Sequence, residues 1–169
     1  KGILTQAEKE GYLVIILQSN ESYELEKKQL DLLLRQRVDG ILISIANTTR
    51  NFTHLSDVIS QGKPLVMFDK IAKILECSKV VIDDRKAAKV ATQHLIDTGC
   101  KRIAHFRGPL LAQNSIDRFL GYKEALEENN FTYDSSLVYI CECGDSSFEE
   151  GKFNAKKLIQ DHDDIDGVF

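Results

Sequence analysis

The chain has 169 residues, 43% hydrophobic and 28% charged, which suits one ordinary domain or two small lobes with a sizeable core. Its 22 basic and 26 acidic residues give a formal charge of -4 with no segregated basic face, so this stretch carries no signal for binding DNA by itself. No apolar run approaches the ~20 residues of a membrane-spanning helix, and Cys77, Cys100, Cys141 and Cys143 are too few and scattered for a disulfide-stapled scaffold, reading instead as buried free thiols of a reducing cytoplasm.

The periodicity predicts a helix over residues 1–10 ended by Gly11, with Ile3, Leu4 and Ala7 on one face. Five apolar residues, 13–17, predict a strand covered on both faces, as in a parallel sheet flanked by helices. Alternation follows: helix 23–37 with Leu30, Leu33 and Leu34 inward, strand 40–45, helix 52–61, and strand 65–68 after Gly62 and Pro64. An irregular link over 69–78 leads to strand 79–82, helix 84–98, strand 102–106, a Gly108-Pro109 turn, helix 115–129, strand 137–141 and helix 148–160. Residues 166–169 read as a strand just beginning, so the chain opens inside a helix and stops inside a strand, as expected of a piece of something longer. The passage between two lobes is placed near residues 82–85, giving lobes 1–83 and 84–169, each a small doubly wound sheet. Ligands of open α/β sheets sit at the carboxyl ends of the strands, and two facing lobes make that edge a cleft.

The sequence lacks G-x-G-x-x-G, G-x-x-x-x-G-K-[ST] and G-x-S-x-G, which removes the signals for dinucleotides, nucleotide phosphates and serine hydrolysis. Cys141 and Cys143 have no second pair at finger spacing, and His54, His94, His105 and His162 are dispersed, so no metal or other cofactor is expected. Asp83 and Asp84 point to opposite faces of a strand and cannot converge as an acid/base pair. One of them is expected to cap the following helix; the other, at a strand's carboxyl end, is free to face the cleft. Arg118 offers five fixed donors suited to paired hydroxyls or a carboxylate; by spacing alone a surface salt bridge, with Glu124 or a neighbouring loop, is the preferred reading. His105, inside an apolar strand, reads as a hydrogen-bonded core histidine.

The run from Gln93 to Tyr122, with His94-Leu95-Ile96-Asp97-Thr98-Gly99, Arg102-Ile103-Ala104-His105-Phe106, Gly108-Pro109 and Asp117-Arg118-Phe119-Leu120-Gly121-Tyr122, resembles the effector-binding domain of the lactose-repressor (LacI/GalR) family of bacterial transcription regulators. Nearly the whole chain is similar to that domain: Gly2-Ile3 through Gly11-Tyr12, Gln18-Ser19-Asn20, Leu32-Leu33-Leu34, Val38-Asp39-Gly40-Ile41-Leu42, Gly62-Lys63-Pro64-Leu65-Val66 and Val80-Val81-Ile82-Asp83-Asp84 follow in family order. The resemblance implies a two-lobed, periplasmic-binding-protein-like α/β fold and a cytoplasmic, non-enzymatic regulator. Such a protein closes on a small sugar-like effector and transmits that closure to operator DNA through an N-terminal helix-turn-helix domain absent from this chain. It also implies a homodimer, matching the symmetry of operator half-sites. Carried over by position, Arg118 and Asn114 are effector contacts, and Ser146 or Phe148 walls the pocket, while Asp83 is a further candidate at its strand end. Ala112 supplies no polar group where some members do, so effector identity does not transfer. The rival reading is a periplasmic sugar-binding protein of a transport system, which shares the fold; an enzyme on the same scaffold is more distant.

Overall fold

Every strand pairing in the computed structural model, which describes residues 1–142 and 147–169, is parallel, and the strands divide into two sheets. In the first half, helix α1 (Gly2–Lys9), helix α2 (Tyr23–Arg35), strand β1 (Ile41–Ile43), helix α3 (Thr53–Ser60), strand β2 (Leu65–Phe68) and strand β3 (Ser78–Val80) follow one another. The second half holds helix α4 (Asp84–Asp97), strand β4 (Ile103–Arg107), helix α5 (Gln113–Glu128), strand β5 (Val138–Ile140), helix α6 (Ser147–Asp161) and strand β6 (Gly167–Val168). The first sheet has the order β1-β2-β3 and the second β5-β4-β6. Parallel neighbours need crossover connections; helices supply them except between β2 and β3, where the irregular segment 69–77 makes the crossing.

Local chemistry explains several of the boundaries. Ser22 accepts the Leu25 N–H at the start of α2, and Asp83 accepts the Lys86 N–H at 2.9 Å at the start of α4, each satisfying an amide the helix cannot. Asp83 thereby takes the expected capping role. Gly99 follows α4 with a φ of +104°, a conformation a side chain would oppose.

The two sheets bury different numbers of faces. In the first, Ile41, Ile43, Leu65 and Met67 pack with Leu30 of α2 and Leu55 and Val58 of α3, while Leu42 on the opposite face is half exposed. In the second, β4 is central and buried on both faces. Ile103 meets Tyr122 and Leu126 of α5; Ala104 meets Tyr139 and Leu158 of α6. The doubly wound expectation is met most fully here.

The strand expected over residues 13–17 does not form, and these residues are not covered on both faces: Leu13 is 94% exposed and Ile16 66%. A strand exists only through a ladder partner, and no neighbouring strand lies beside this segment among the described residues. Apolar content alone signalled a strand that pairing does not supply. Cys77, Cys100 and Cys141 are half-buried rather than buried, and Cys143 lies outside the described residues.

Helices α4 and α5 meet backbone to backbone. A Cβ added at Gly121 would lie 2.1 Å from the Arg85 carbonyl oxygen and 2.9 Å from the Lys89 nitrogen. Beside this contact Glu124 accepts from Arg85 at 2.8 Å and from Lys89 at 3.0 Å. Below it, His105 stacks between Tyr122 and Phe169, each ring centroid 4.9 Å away. The His105 Nδ1–H donates to the Phe169 main-chain oxygen at 3.1 Å, and burial pushes the imidazole pKa down to about 4, so the ring is neutral. The reading of His105 as a hydrogen-bonded core residue is met.

Two outcomes follow from this packing. Gly121→Ala should cost about 3 kcal/mol by forcing α4 and α5 apart; a denaturant midpoint equal to wild type would contradict the contact. Because the unfolded imidazole binds a proton below about pH 6.5 and the folded one does not until about pH 4, stability should fall over that window by about 3 kcal/mol. His105→Gln should flatten that part of the pH profile in chemical denaturation, and a slope equal to wild type would assign the loss to other groups.

Candidate functional site

The carboxyl ends of three strands converge. After β1 the chain turns through residues 45–50, after β2 through 69–74, and after β4 through 108–112 into α5. Together they line a cavity of about 330 Å³ that includes Asn47, Thr49, Arg50, Lys70, Lys73, Leu111, Ala112 and Gln113. Two polar contacts join α5 to the loop after β2: Asn114 Nδ2 donates to Asp69 Oδ1 at 3.3 Å, and Lys73 Nζ lies 3.4 Å from Asp117 Oδ2. Elements of the two sheets therefore face one another at the edge where α/β ligands bind.

The floor is held from beneath by carboxylates of the Glu21 to Glu26 region. Glu26, buried to 3% exposure, accepts the Ala46 N–H at 2.6 Å through Oε2. Its Oε1 accepts from Thr49 Oγ1 at 2.9 Å and His54 Nε2 at 2.8 Å. Because a carboxylate only accepts, the proton lies on His54 Nε2. Glu21 adds a bond from the Asn47 N–H at 2.6 Å and an ion pair with Lys70. A carboxylate with three donors is a stable buried arrangement, and it fixes the backbone of residues 46–49.

The sequence-predicted residues divide. Asn114 and Arg118 lie one turn apart on α5, just beyond the residues that line the cavity, with Asn114 bonded across to Asp69 as described. Arg118 Nε donates to Asp84 Oδ1 at 2.7 Å; its side chain is 47% exposed and that of Asp84 10%. The salt bridge expected of Arg118 thus exists, but with the first residue of α4 rather than Glu124. Asp83 is engaged in its cap. Phe148, in the first turn of α6, is 78% exposed and does not line the cavity, and Ser146 lies outside the described residues.

Sequence reasoning missed Arg50, Lys70, Lys73 and the buried Glu26. The cations sit in loops that only the topology brings together, so nothing in their local spacing announces them. Glu26 did leave a signal: it falls one turn before Leu30, on the inward stripe of α2, where a carboxylate needs buried donors.

A second cavity of about 500 Å³ lies at the opposite, amino edge of the second sheet, among Lys101, Arg102, Phe131, Asp134, Asp164 and Asp166. Its charges answer one another. Arg102 pairs with Asp134 at 3.2 Å and Asp164 at 2.9 Å, while Asp166 accepts the Lys101 and Arg102 N–H groups, which hold its carboxyl below the usual range. Size alone favours this cavity, but its carboxylates are already partnered and it faces one sheet only. No group of three His, Cys, Asp or Glu side chains among the described residues is arranged to hold a metal.

Residues 1–168 match the family model described as periplasmic binding proteins and sugar binding domain of the LacI family. The ribose operon repressor of Halalkalibacterium halodurans is 31% identical over 160 residues, covering 94% of this chain and 44% of that protein. The crystal structure of the transcription regulator CcpA of Lactococcus lactis superposes with a TM-score of 0.82 at 32% identity, over 95% of this chain and 57% of that one. A complex of the transcriptional regulator CelR with cellobiose gives a TM-score of 0.84 at 28% identity, over 99% of this chain and 50% of the other. This chain spans about half the length of the curated relatives it matches. With the family model spanning nearly every residue and the fold shared with solved regulators, the chain belongs to the family of periplasmic binding proteins and LacI-type sugar-binding domains.

Proposed function

We propose that this chain is the ligand-sensing core of a bacterial DNA-binding transcription regulator, not an enzyme. A small sugar-like effector enters the cleft between a first lobe (residues 1–83) and a second (84–169). The observation that carries the reading is the cleft itself, built from the carboxyl edges of both sheets and bridged by Asn114–Asp69 and Lys73–Asp117. Relatives named as repressors, and a relative bound to cellobiose, support it over a transport receptor. The regulator works in the cytoplasm as a homodimer, and operator DNA is held by a helix-turn-helix domain outside this sequence.

The chemistry is a population shift. Two weak polar bridges hold the lobes in their present orientation, each worth about 1 kcal/mol or less where exposed. An effector that contacts both lobes changes the balance by its differential affinity for the open and closed states, and operator affinity changes through that linkage. The two readings of Arg118 are compatible: Asp84 orients the guanidinium through Nε, leaving both Nη nitrogens to donate to a ligand. Asn114 supplies a second polar contact one turn earlier. By family position Ser146 or Phe148 is a further candidate contact, and Asp83 stands beside Asp84 at the lobe junction.

Thermal-shift screening of sugars and nucleosides with the intact protein should yield a ligand that changes operator affinity in fluorescence anisotropy. Arg118→Ala should weaken that ligand by about ten-fold or more in calorimetry while the protein stays folded by circular dichroism. Unchanged affinity would remove Arg118 from the site.

A further inference from the structure

We infer that the cleft is specialised for a metabolite bearing an oxyanion, a phosphate or carboxylate group, rather than for a neutral sugar. The inference rests on the effector reading of the cleft and narrows its ligand. Acidic residues outnumber basic ones in this chain, 26 to 22, yet the cavity wall carries Arg50, Lys70 and Lys73 and no carboxylate.

The carboxylates nearest these cations stand outside the wall. Glu21 pairs with Lys70 on the side of α2, and Asp117 reaches Lys73 at a loose 3.4 Å with Lys73 60% exposed. Arg50 has no ion-pair partner among the described residues; its Nη1 donates to the Thr49 main-chain oxygen at 3.2 Å and to the Asn47 main-chain oxygen, leaving charge unneutralised. Arg50 and Lys73 are exposed and solvated in the free cleft; a neutral ligand that displaces this water leaves their charge uncompensated, whereas an oxyanion meets it with charge-assisted hydrogen bonds.

The backbone points the same way. Helix α5 starts at Gln113 after Ala112, which has no side-chain acceptor to cap it, and both residues line the cavity. Its first turn holds no acidic residue; Asn114 there takes the Ser115 N–H at 2.8 Å and donates to Asp69, and the positive end of the helix faces the cavity through Ala112 and Gln113. Phe52, before the first residue of α3, also lines the cavity, and Asn51 takes the Thr53 N–H. The oxyanion is seated between Arg50 and Lys73, with the start of α5 closing over it. Lys73 then exchanges Asp117 for the ligand, which gives occupancy a direct effect on a bridge between the lobes.

The test is calorimetry on the intact protein with glucose 6-phosphate, gluconate, glucose and inorganic phosphate. Either glucose 6-phosphate or gluconate should bind about ten-fold or more tightly than glucose, and which of the two does so assigns the oxyanion. Inorganic phosphate should bind weakly, raise the melting temperature and compete with the tighter ligand. Lys73→Gln should erase most of the preference, lowering the melting temperature of the free protein only slightly because the Lys73–Asp117 pair it removes is largely exposed, and Arg50→Gln should erase the rest. Glucose binding as tightly as both anions, or a preference that survives both substitutions, would overturn the inference; no melting shift with inorganic phosphate would do so where glucose 6-phosphate is the tighter ligand. Anion binding that leaves operator affinity unchanged would uphold the anion site and reject the regulatory reading beneath it.

Discussion

The position of α5 depends on one glycine. At Gly121 the helix lies so close to α4 that a single methyl group would overlap the Arg85 carbonyl oxygen, and no side-chain rearrangement can relieve an overlap with backbone. The flanking pairs, Asp84–Arg118 and Glu124 with Arg85 and Lys89, are partly exposed and of modest energetic value. They fix the rotation and register of α5, while the glycine sets its distance. From that placement follow the seat of Tyr122 against Ile103 and His105, and the delivery of the first turn of α5 to the cleft.

The cleft is asymmetric in its mechanics. On the first-sheet side, Glu26 accepts three short hydrogen bonds, from the Ala46 N–H, the Thr49 hydroxyl and the His54 imidazole of α3, in a water-poor environment where such bonds are strongest. On the second-sheet side, the wall is the bare start of a helix, joined to the other lobe by two long polar contacts. A rigid floor facing a lightly tethered wall is the arrangement a closing site needs. Closure then changes few strong interactions and several weak ones, so a small ligand suffices to bias it.

Much of this architecture was legible in the sequence, and the exceptions are physically specific. The alternation of elements, the cap at Asp83 and the buried His105 follow from local chemistry, and local chemistry is what a sequence displays. Residues 13–17 misled because an apolar run reports a preference for burial, not the presence of a partner strand. A salt bridge of Arg118 was expected, but its partner was not: Asp84 lies 34 positions away, and only the α4–α5 contact brings them together. Arg50, Lys70 and Lys73 were invisible for the same reason, being ordinary loop cations until three strand ends converge. The family likeness pointed to residues of α5 and said nothing of the cations across from its first turn.

The measurement that bears most directly on the account is a crystal structure of the intact protein with its effector, identified by screening. The account predicts the ligand between the loop after β1 and the start of α5, touching Arg50 and Arg118, with the Lys73–Asp117 bridge opened. A ligand seated instead at the amino edge of the second sheet, beside Phe131 and Asp166, would contradict it.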